Sequence, residues 1–286
     1  MFKKMRKSQA WRRFHKNKRA NFALIFLLLE VIVCFIVPVF ANLDPFTTDS
    51  SVPFQSAPSA LHWLGTDKVG RDLLARLLYG GRVSLTVGIS AAVISVLIGV
   101  PMGLIAGYFR GVAEMIVMRL ADIFMAFPSM ILILVLVAVV GPSLVTLILV
   151  IGIMGWTGVA KLIYGNVLSI RQKEYVEASK CIGRGTLSIL FREILPNAMG
   201  PVWVTLSFRV GGAILQESGL SFLGVGVQTP EASWGNLINA AQELSILMLK
   251  PWFWIPAGVL IILTVLCFNF LGEGVRDALD PKMKTE

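Results

Sequence analysis

Long apolar runs alternate with shorter polar stretches along most of the chain. The first run covers residues 22–41. At about 1.5 Å per residue in a helix, it is long enough to cross a hydrocarbon core of roughly 30 Å. Five further runs of similar character lie near residues 83–107, 114–140, 143–166, 197–223 and 251–273. The pattern therefore predicts an all-α integral membrane protein with six transmembrane helices.

Composition supports this class. Hydrophobic residues make up 56% of the chain and charged residues only 15%, with a mean hydropathy of +0.75. A soluble domain carries about a quarter of charged residues. The net charge of +9 does not indicate nucleic acid, because the basic residues lie beside apolar runs as membrane topology requires. Three widely spaced cysteines and two histidines form no disulfide framework or metal-binding spacing.

The distribution of basic residues predicts how the chain is oriented. Six spans place both ends of the chain on the same side of the membrane. Twenty of the 26 lysines and arginines lie in the tails and connections on that side, and five lie on the opposite side. Because cytoplasmic connections carry an excess of Lys and Arg, both tails, residues 1–21 and 274–286, are predicted to be cytoplasmic. We expect the basic tail 1–21 to contact anionic lipid rather than RNA.

Two longer connections, residues 42–82 and 224–250, are predicted on the outer side, around a five-helix core at residues 83–273. The first connection ends in a leucine stripe at helical spacing. Its members are Leu73, Leu74, Leu77 and Leu78. Charged residues lie off this stripe, so it predicts an amphipathic helix lying at the outer membrane interface.

Glycine and proline predict where the spans pack closely and where they bend. One helix face of the second span repeats glycine every four residues, which favours close packing. These residues are Gly99, Gly103, Gly107 and Gly111. In the third span Pro128 is expected to produce a kink, and Arg119 is expected to pair with Asp122. Three glycines make the fourth span thin and deformable. They are Gly152, Gly155 and Gly158.

Polar residues inside apolar runs are candidate functional positions, because charge in a membrane is costly unless it is paired or hydrated. Glu30 lies in the first run, where it faces either a polar path or a partner helix. Arg209, Gln216 and Glu217 lie in the fifth run. These three are candidates for a polar translocation path. A fixed ion pair between helices or across a subunit boundary is the equal alternative.

The longest polar interruption in the second half of the chain covers residues 174–196, which we call the elbow. Its first helix presents a small face, formed by Tyr175, Ala178, Ser179 and Ile182. Gly183 and Gly185 are expected to end that helix. A second apolar face follows, formed by Leu187, Leu190, Phe191, Ile194 and Leu195. Pro196 is expected to end the unit and open the next helix.

The spacing of these residues is similar to a known motif. Glu177-Ala178-Ser179, Gly183 and Leu195-Pro196 resemble the EAA loop of ABC-importer permeases, which docks into a groove on the ATP-hydrolysing subunit. Two positions depart from that pattern. Ser179 stands where alanine is usual, and Glu193 stands where isoleucine is common. An amphipathic cytoplasmic loop without a partner is the alternative interpretation.

Further short motifs extend the resemblance to about residues 61–282. They are Leu64-Gly65-Thr66-Asp67, Gly70-Arg71-Asp72, Met118-Arg119, Leu220-Ser221-Phe222-Leu223-Gly224, Ser233-Trp234-Gly235 and Arg276-Asp277-Ala278-Leu279-Asp280-Pro281. Together they resemble the C-type permease of oligopeptide and dipeptide ABC importers. The resemblance implies a type I ABC-importer permease fold in the cytoplasmic membrane of a prokaryote.

The resemblance also implies partners. These are a homologous B-type permease, two ATPases that bind ATP and Mg, and an extracytoplasmic peptide-binding protein. Residues 167–196 would be the coupling loop. Its implied ATPase-coupling residues are Glu174, Tyr175, Glu177, Ala178, Ser179, Gly183, Arg184, Leu195 and Pro196. The implied candidates for docking the binding protein are Trp63, Asp67, Arg71 and Trp234.

The chain itself carries no recognisable catalytic or cofactor motif. It has no G-x-x-x-x-G-K-[ST] phosphate loop, no G-x-S-x-G and no H-E-x-x-H. We therefore expect a non-hydrolytic subunit, and the resemblance implies that it moves peptides by alternating access. Nickel chelates and glutathione are alternative substrates for such permeases. A channel outside the ABC class and an intramembrane protease are alternatives of other classes.

Overall fold

The computed structural model describes residues 11–279, and this part of the chain is helical apart from turns, loops and two isolated β-bridges. We number the principal helices as α1 Lys18–Phe35, α2 Leu73–Phe109, α3 Gly111–Ala126, α4 Ser129–Val140, α5 Leu144–Met154, α6 Trp156–Arg171, α7 Glu174–Cys181, α8 Thr186–Ala198, α9 Gly200–Phe222, α10 Trp234–Asn239, α11 Leu244–Leu249 and α12 Ile255–Leu279. A short helix, Val37–Phe40, continues α1. The basic residues before position 11 and the predicted Asp280-Pro281 motif lie outside the described residues. The all-α prediction is confirmed.

Within residues 11–279, four helical stretches are long and apolar enough to cross a membrane: Lys18–Phe40, Leu73–Phe109, Leu144–Arg171 and Ile255–Leu279. Two further pairs pass the same test when each is taken as one broken span, and these are α3 with α4 and α8 with α9. The helices thus allow up to six crossings. Six spans with both tails on one side stay a prediction.

The third predicted span is broken rather than gently kinked. α3 and α4 meet at an angle of 88°. Phe127 adopts an extended conformation before Pro128, as a residue preceding proline prefers, so the helix ends there. The predicted pairing of Arg119 with Asp122 is wrong. Asp122 instead forms an ion pair with Lys161 on α6 at 2.8 Å, because the helices bring these side chains together.

The predicted amphipathic helix at the end of segment 42–82 is not a separate element, and its place at the membrane interface stays a prediction. The leucine stripe forms the first two turns of α2, which runs without a break for 37 residues from Leu73. Asp72 caps its start, with its Oδ1 accepting from the Ala75 N–H at 2.7 Å. Leu73, Leu77 and Leu78 are buried. The helix that contains the second predicted span therefore begins at residue 73, ten residues before the predicted start of that span.

The glycine face of α2 lets it pack closely against α6. A methyl group on Gly99 would lie 2.7 Å from the Trp156 carbonyl oxygen, and one on Gly107 would lie 2.7 Å from Val167 Cβ. Gly103 lies equally close to α6. These three positions confirm the predicted close packing. Gly111 does not belong to the face, because it opens α3 with nothing within 4 Å of the position of a Cβ.

Helix α1 packs against α12, and this contact holds Glu30. The Thr264 hydroxyl donates to Glu30 Oε1 at 2.5 Å, and the glutamate is 6% exposed. Glu30 was expected to face either a polar path or a partner helix, and the structure favours contact with a partner helix. In the fourth predicted span the helix is interrupted at Gly155, between α5 and α6, in the middle of the predicted glycine series.

The glycine contact gives a stability prediction. Gly99→Ala is expected to destabilise the chain by about 1–3 kcal/mol, because the added methyl group overpacks the α2–α6 contact against backbone. Thermal unfolding of the detergent-purified chain measures the change. Gly158→Ala, in α6 with nothing within 4 Å of its Cβ position, is the matched control and should be neutral or stabilising. Equal behaviour of the two variants would contradict the close-packing interpretation.

Candidate functional site

The turn of the elbow is built by backbone geometry that requires glycine. Helix α7 ends in a left-handed residue, Gly183, with φ of +77°. The Gly183 N–H donates to the Lys180 carbonyl at 3.0 Å, and the Arg184 N–H donates to the Ser179 carbonyl at 3.1 Å. This pair of bonds is the Schellman ending of a helix. The predicted helix break at Gly183 is confirmed. Gly185 has φ of −62° and instead opens α8.

Helix α8 continues two residues beyond Pro196 and does not end there as predicted. Leu190–Ile194 forms a π-helical turn, and Leu195–Ala198 resumes the α-helix with proline in its first turn. Pro196 lacks the N–H that would bond to the carbonyl four residues earlier, and the wider turn immediately before it accommodates that loss. The chain then bends by 58° between α8 and α9.

The elbow is anchored by an apolar face that is rotated from the predicted one. Val176 is the buried residue of α7, and the buried apolar residues of α8 are Ile189, Leu190, Ile194 and Ala198. They belong to one cluster with residues of α2, α6 and α9, namely Leu104, Ile163, Val167, Ile170 and Val202. The elbow therefore rests on the ends of α2 and α6, next to the glycine contact.

Several large apolar side chains of the elbow remain exposed. Ile182 is 77% exposed, Leu187 69% and Phe191 59%. The last two were predicted to be part of the packed stripe, and that assignment is wrong. Tyr175 is also exposed, as are Glu174 and Glu177 in the first turn of α7. Exposed apolar groups among charges are typical of a protein-interaction surface.

One carboxylate joins the two helices of the elbow. Glu193 Oε1 accepts from the Ser179 hydroxyl at 2.7 Å and also from the Arg184 guanidinium. The Asn197 side-chain amide donates to the Glu193 carbonyl at 2.5 Å and to the Tyr175 hydroxyl at 3.3 Å. Sequence reasoning noted Ser179 and Glu193 as separate departures from a motif. It did not predict that they contact each other. The available signal was that both positions carry a polar residue in the same sequence.

The polar candidates of the fifth predicted span do not form a pair. Glu217 is fully buried and accepts hydrogen bonds from Ser221 at 2.7 Å and Ser84 at 2.8 Å. Arg209 has its guanidinium against Gly155, where α5 and α6 meet, and donates to the Ser95 hydroxyl at 3.3 Å. Gln216 is half-buried. Glu217 is therefore held by hydroxyl groups and not by a cation.

The docking candidates of the outer segments are placed differently from one another. Trp63 is 72% exposed. Trp234 is fully buried, donating from its indole N–H to the Leu77 carbonyl at 3.1 Å, so its side chain does not form a surface. Asp67 is buried between Arg71, at 2.7 Å, and Arg76, at 3.3 Å. Assigning Trp234 and Asp67 to a docking surface is corrected, because both are internal packing and pairing residues.

A histidine ties the outer segment to the start of α2. His62 Nδ1 lies 2.7 Å from Asp72 Oδ2, and Nε2 lies 3.2 Å from Asp49 Oδ2. Asp72 is also the residue that caps α2. The hydrogen bond with Asp72 raises the pKa of His62 above its usual 6.5, and the bond with Asp49 acts in the same direction. Sequence reasoning missed this contact because its members are 13 and 10 residues apart.

In the described part of the chain, no group of three or more His, Cys, Asp or Glu side chains is arranged to hold a metal ion. The elbow offers an anchored turn with exposed charged and apolar side chains. The opposite end of α2 carries a histidine-bridged loop.

The sequence matches two protein-family models. The first, described as the binding-protein-dependent transport system inner membrane component, covers residues 99–285. The second, described as the N-terminal TM domain of oligopeptide transport permease C, covers residues 7–58. The elbow lies inside the first match.

Several curated proteins are similar over nearly the whole chain. The oligopeptide transport system permease protein OppC of Bacillus subtilis is 41% identical over 95% of this chain and 88% of its own length. The dipeptide transport system permease protein DppC of the same organism is 42% identical, over 96% and 85%. The glutathione transport system permease protein GsiD of Pectobacterium atrosepticum is 38% identical, over 96% and 91%.

A solved structure shares the fold. A chain of the MetNI methionine ABC transporter, solved in inward-facing conformations, aligns with a TM-score of 0.59. The alignment covers 72% of this chain and 96% of that one, at 17% identity. This likeness establishes the type I ABC-importer permease fold.

The His62 bridge predicts a pH-dependent stability. Because the folded pKa of His62 is raised, its contribution is complete below about pH 6.5 and is lost as the pH rises through the folded pKa. Thermal unfolding of the purified chain between pH 6 and pH 9 should therefore show a loss of stability that His62→Gln removes. His15→Gln, which changes the other histidine, is the control and should keep the wild-type dependence. An unchanged pH dependence in His62→Gln would refute the bridge.

Proposed function

Because the chain belongs to the family of binding-protein-dependent transport system inner membrane components, in its peptide ABC permease branch, we propose that it is the C-type permease subunit of an ATP-driven importer of oligopeptides or dipeptides. The observation that carries this proposal is the elbow. It is an exposed turn anchored on the ends of α2 and α6, in a chain whose relatives over nearly its full length are peptide permeases.

Glutathione is the second candidate substrate. It is favoured by the similarity to a glutathione permease, and glutathione is itself a short peptide. Both candidates require the same path through the membrane and differ in the length of peptide delivered. In this proposal, the choice between them rests with the extracytoplasmic binding protein, which is a separate chain.

The proposed assembly contains a homologous B-type permease, two ATPases that hold ATP and Mg, and the extracytoplasmic binding protein. The elbow contacts one ATPase through the exposed residues of α7 and its turn, with Glu177 offering a carboxylate for an ion pair. Trp63 on segment 42–72 faces the binding protein. Arg209 and Gln216 stay candidates for the path, whereas Glu217 would reach it only if the packing around its serines opened.

The proposed orientation places both tails and the elbow in the cytoplasm of a prokaryote, following the excess of basic residues on that side. The elbow is then on the side where ATP is available. ATP binding closes the ATPases and displaces the elbow. The displacement passes into α9 across the 58° bend and into α2 and α6 through the shared apolar cluster, and the path opens first outward and then inward.

Orientation can be tested with the chain's own thiols. Cys181 is exposed on the elbow, whereas Cys34 and Cys267 are buried. In membranes that contain the chain without the ATPases, which would otherwise cover the elbow, a membrane-impermeant maleimide is expected to label the chain in inside-out vesicles and not in intact spheroplasts. Cys181→Ser should remove the labelling and serves as the control. Labelling of Cys181 from the outer face would overturn the proposed orientation.

Coupling can be tested at the turn. Gly183→Pro is expected to abolish peptide uptake by the assembled importer, because proline cannot adopt a φ of +77° and would lose the N–H bond to Lys180. Gly185→Pro is the matched control, since its φ of −62° suits proline, and it should preserve uptake. Glu177→Lys should also uncouple ATP hydrolysis from uptake. Uptake is measured in proteoliposomes, with subunit content checked by co-purification. Normal uptake by Gly183→Pro would contradict the coupling role.

A further inference from the structure

A carboxylate is buried inside the elbow where its neighbours are apolar. Glu193 is 9% exposed, and it lies in the π-helical turn between the buried Leu190 and Ile194. Burying a carboxylate is unfavourable unless it is paired and hydrogen-bonded. The carboxylate must therefore have polar partners that offset the cost of its burial, and the identity of those partners indicates its role.

The partners of Glu193 come from two other parts of the elbow. The Ser179 hydroxyl, 2.7 Å from Oε1, belongs to α7, and the Arg184 guanidinium belongs to the turn. One oxygen atom on α8 thus holds both the first helix and the turn. A backbone bond joins α7 to the turn as well, since the Arg184 N–H donates to the Ser179 carbonyl at 3.1 Å, but this bond does not reach α8.

The two polar positions are also the two departures from the EAA pattern that the sequence resembles. The EAA pattern has alanine at the position of Ser179 and isoleucine at the position of Glu193. An alanine–isoleucine contact is non-directional, whereas a carboxylate with a hydroxyl and a guanidinium fixes distances and angles. Changing Glu193 alone would leave the Ser179 hydroxyl and the Arg184 guanidinium without this acceptor, and changing Ser179 alone would leave Glu193 with Arg184 as its side-chain donor.

We propose that Ser179, Arg184 and Glu193 form a polar clasp that fixes the angle between α7 and α8 and so sets how completely movement of the ATPase reaches α9. These are positioning residues, and the proposal rests on the proposed coupling function of the elbow. With the clasp broken, the turn at Gly183 becomes a loose joint. The ATPase then moves α7 without moving the spans to the same extent.

The test compares single and paired changes in the assembled importer. The variants are Ser179→Ala, Glu193→Ile and the double variant that installs the apolar pair. ATP hydrolysis and uptake of radiolabelled di-, tri- and tetra-alanine are measured in proteoliposomes at equal subunit content. The readout is ATP hydrolysed per peptide imported. Ser188→Ala, which removes a neighbouring α8 hydroxyl that takes part in none of the side-chain hydrogen bonds described above, is the control.

Each single variant is expected to raise the ATP consumed per peptide severalfold. Losing a hydrogen bond to a charged group shifts the equilibrium between the fixed and the loose arrangement of α7 and α8 by about tenfold or more. The double variant should lie nearer the wild type than the product of the single effects, because coupled residues are not additive. Unchanged ratios in the single variants, or a double effect equal to that product, would overturn the clasp. Should Glu193→Ile fail to accumulate, Ser179→Ala alone decides by the same ratio.

The possible results distinguish failure of the clasp proposal from failure of the proposed function on which it rests. A wild-type complex that imports none of the three peptides, or that assembles without ATPases, overturns the proposed function and the clasp together. A wild-type complex that imports peptides while Ser179→Ala and Glu193→Ile keep its coupling ratio overturns the clasp alone.

Discussion

The contact between α2 and α6 is the one on which the arrangement of the elbow depends. Gly99, Gly103 and Gly107 bring the α2 backbone against α6, so the two helices end as a closely joined pair. Their ends then provide Leu104, Ile163, Val167 and Ile170 to the cluster that holds α7 and α8. Larger residues on the glycine face would separate the helices and divide this anchoring surface. A small-residue contact inside the bundle therefore determines how firmly the elbow is held on the ends of α2 and α6.

Buried glutamates recur at the joints between helices, and hydroxyl groups donate to at least one carboxylate oxygen of each. Glu30 joins α1 to α12 through Thr264, and Glu217 joins α9 to α2 through Ser84. Glu193 follows the same arrangement but adds Arg184 at the edge of the protein. Hydroxyl donors satisfy a carboxyl group without bringing a second charge into an apolar region. The guanidinium partner occurs where its own side chain reaches solvent, at 41% exposure.

Features that depend on local spacing could be predicted from the sequence. The apolar runs, the break at Gly183 and the packing face of α2 follow from residue type and periodicity alone. The register of the α8 stripe was missed because the π-helical turn at Leu190–Ile194 shifts the face away from a 3.6-residue period. The start of α2 was missed because Arg76 resembled an interfacial charge. Its partners, Asp67 and the carbonyls of Pro45 and Pro230, are distant in sequence. Trp234 was assigned to the surface for the same reason, since its pocket is made by Gly81 and Leu77.

The elbow's two attachments differ in a way that bears on mechanism. Toward α2 and α6 it is held by apolar packing, which tolerates small sliding displacements because it has no preferred direction. Toward α9 it is continuous in the chain, across a bend that follows Pro196 and Met199. A force applied at the exposed residues of α7 therefore reaches α9 through covalent backbone, provided that α7 and α8 keep their angle. Glycine at the turn supplies the geometry but no stiffness, so the stiffness comes from side chains that cross between the helices: the shared apolar cluster, the Asn197 amide on the Tyr175 hydroxyl, and a carboxylate placed between the two helices. Glu193, bound to Ser179 and Arg184, occupies that position.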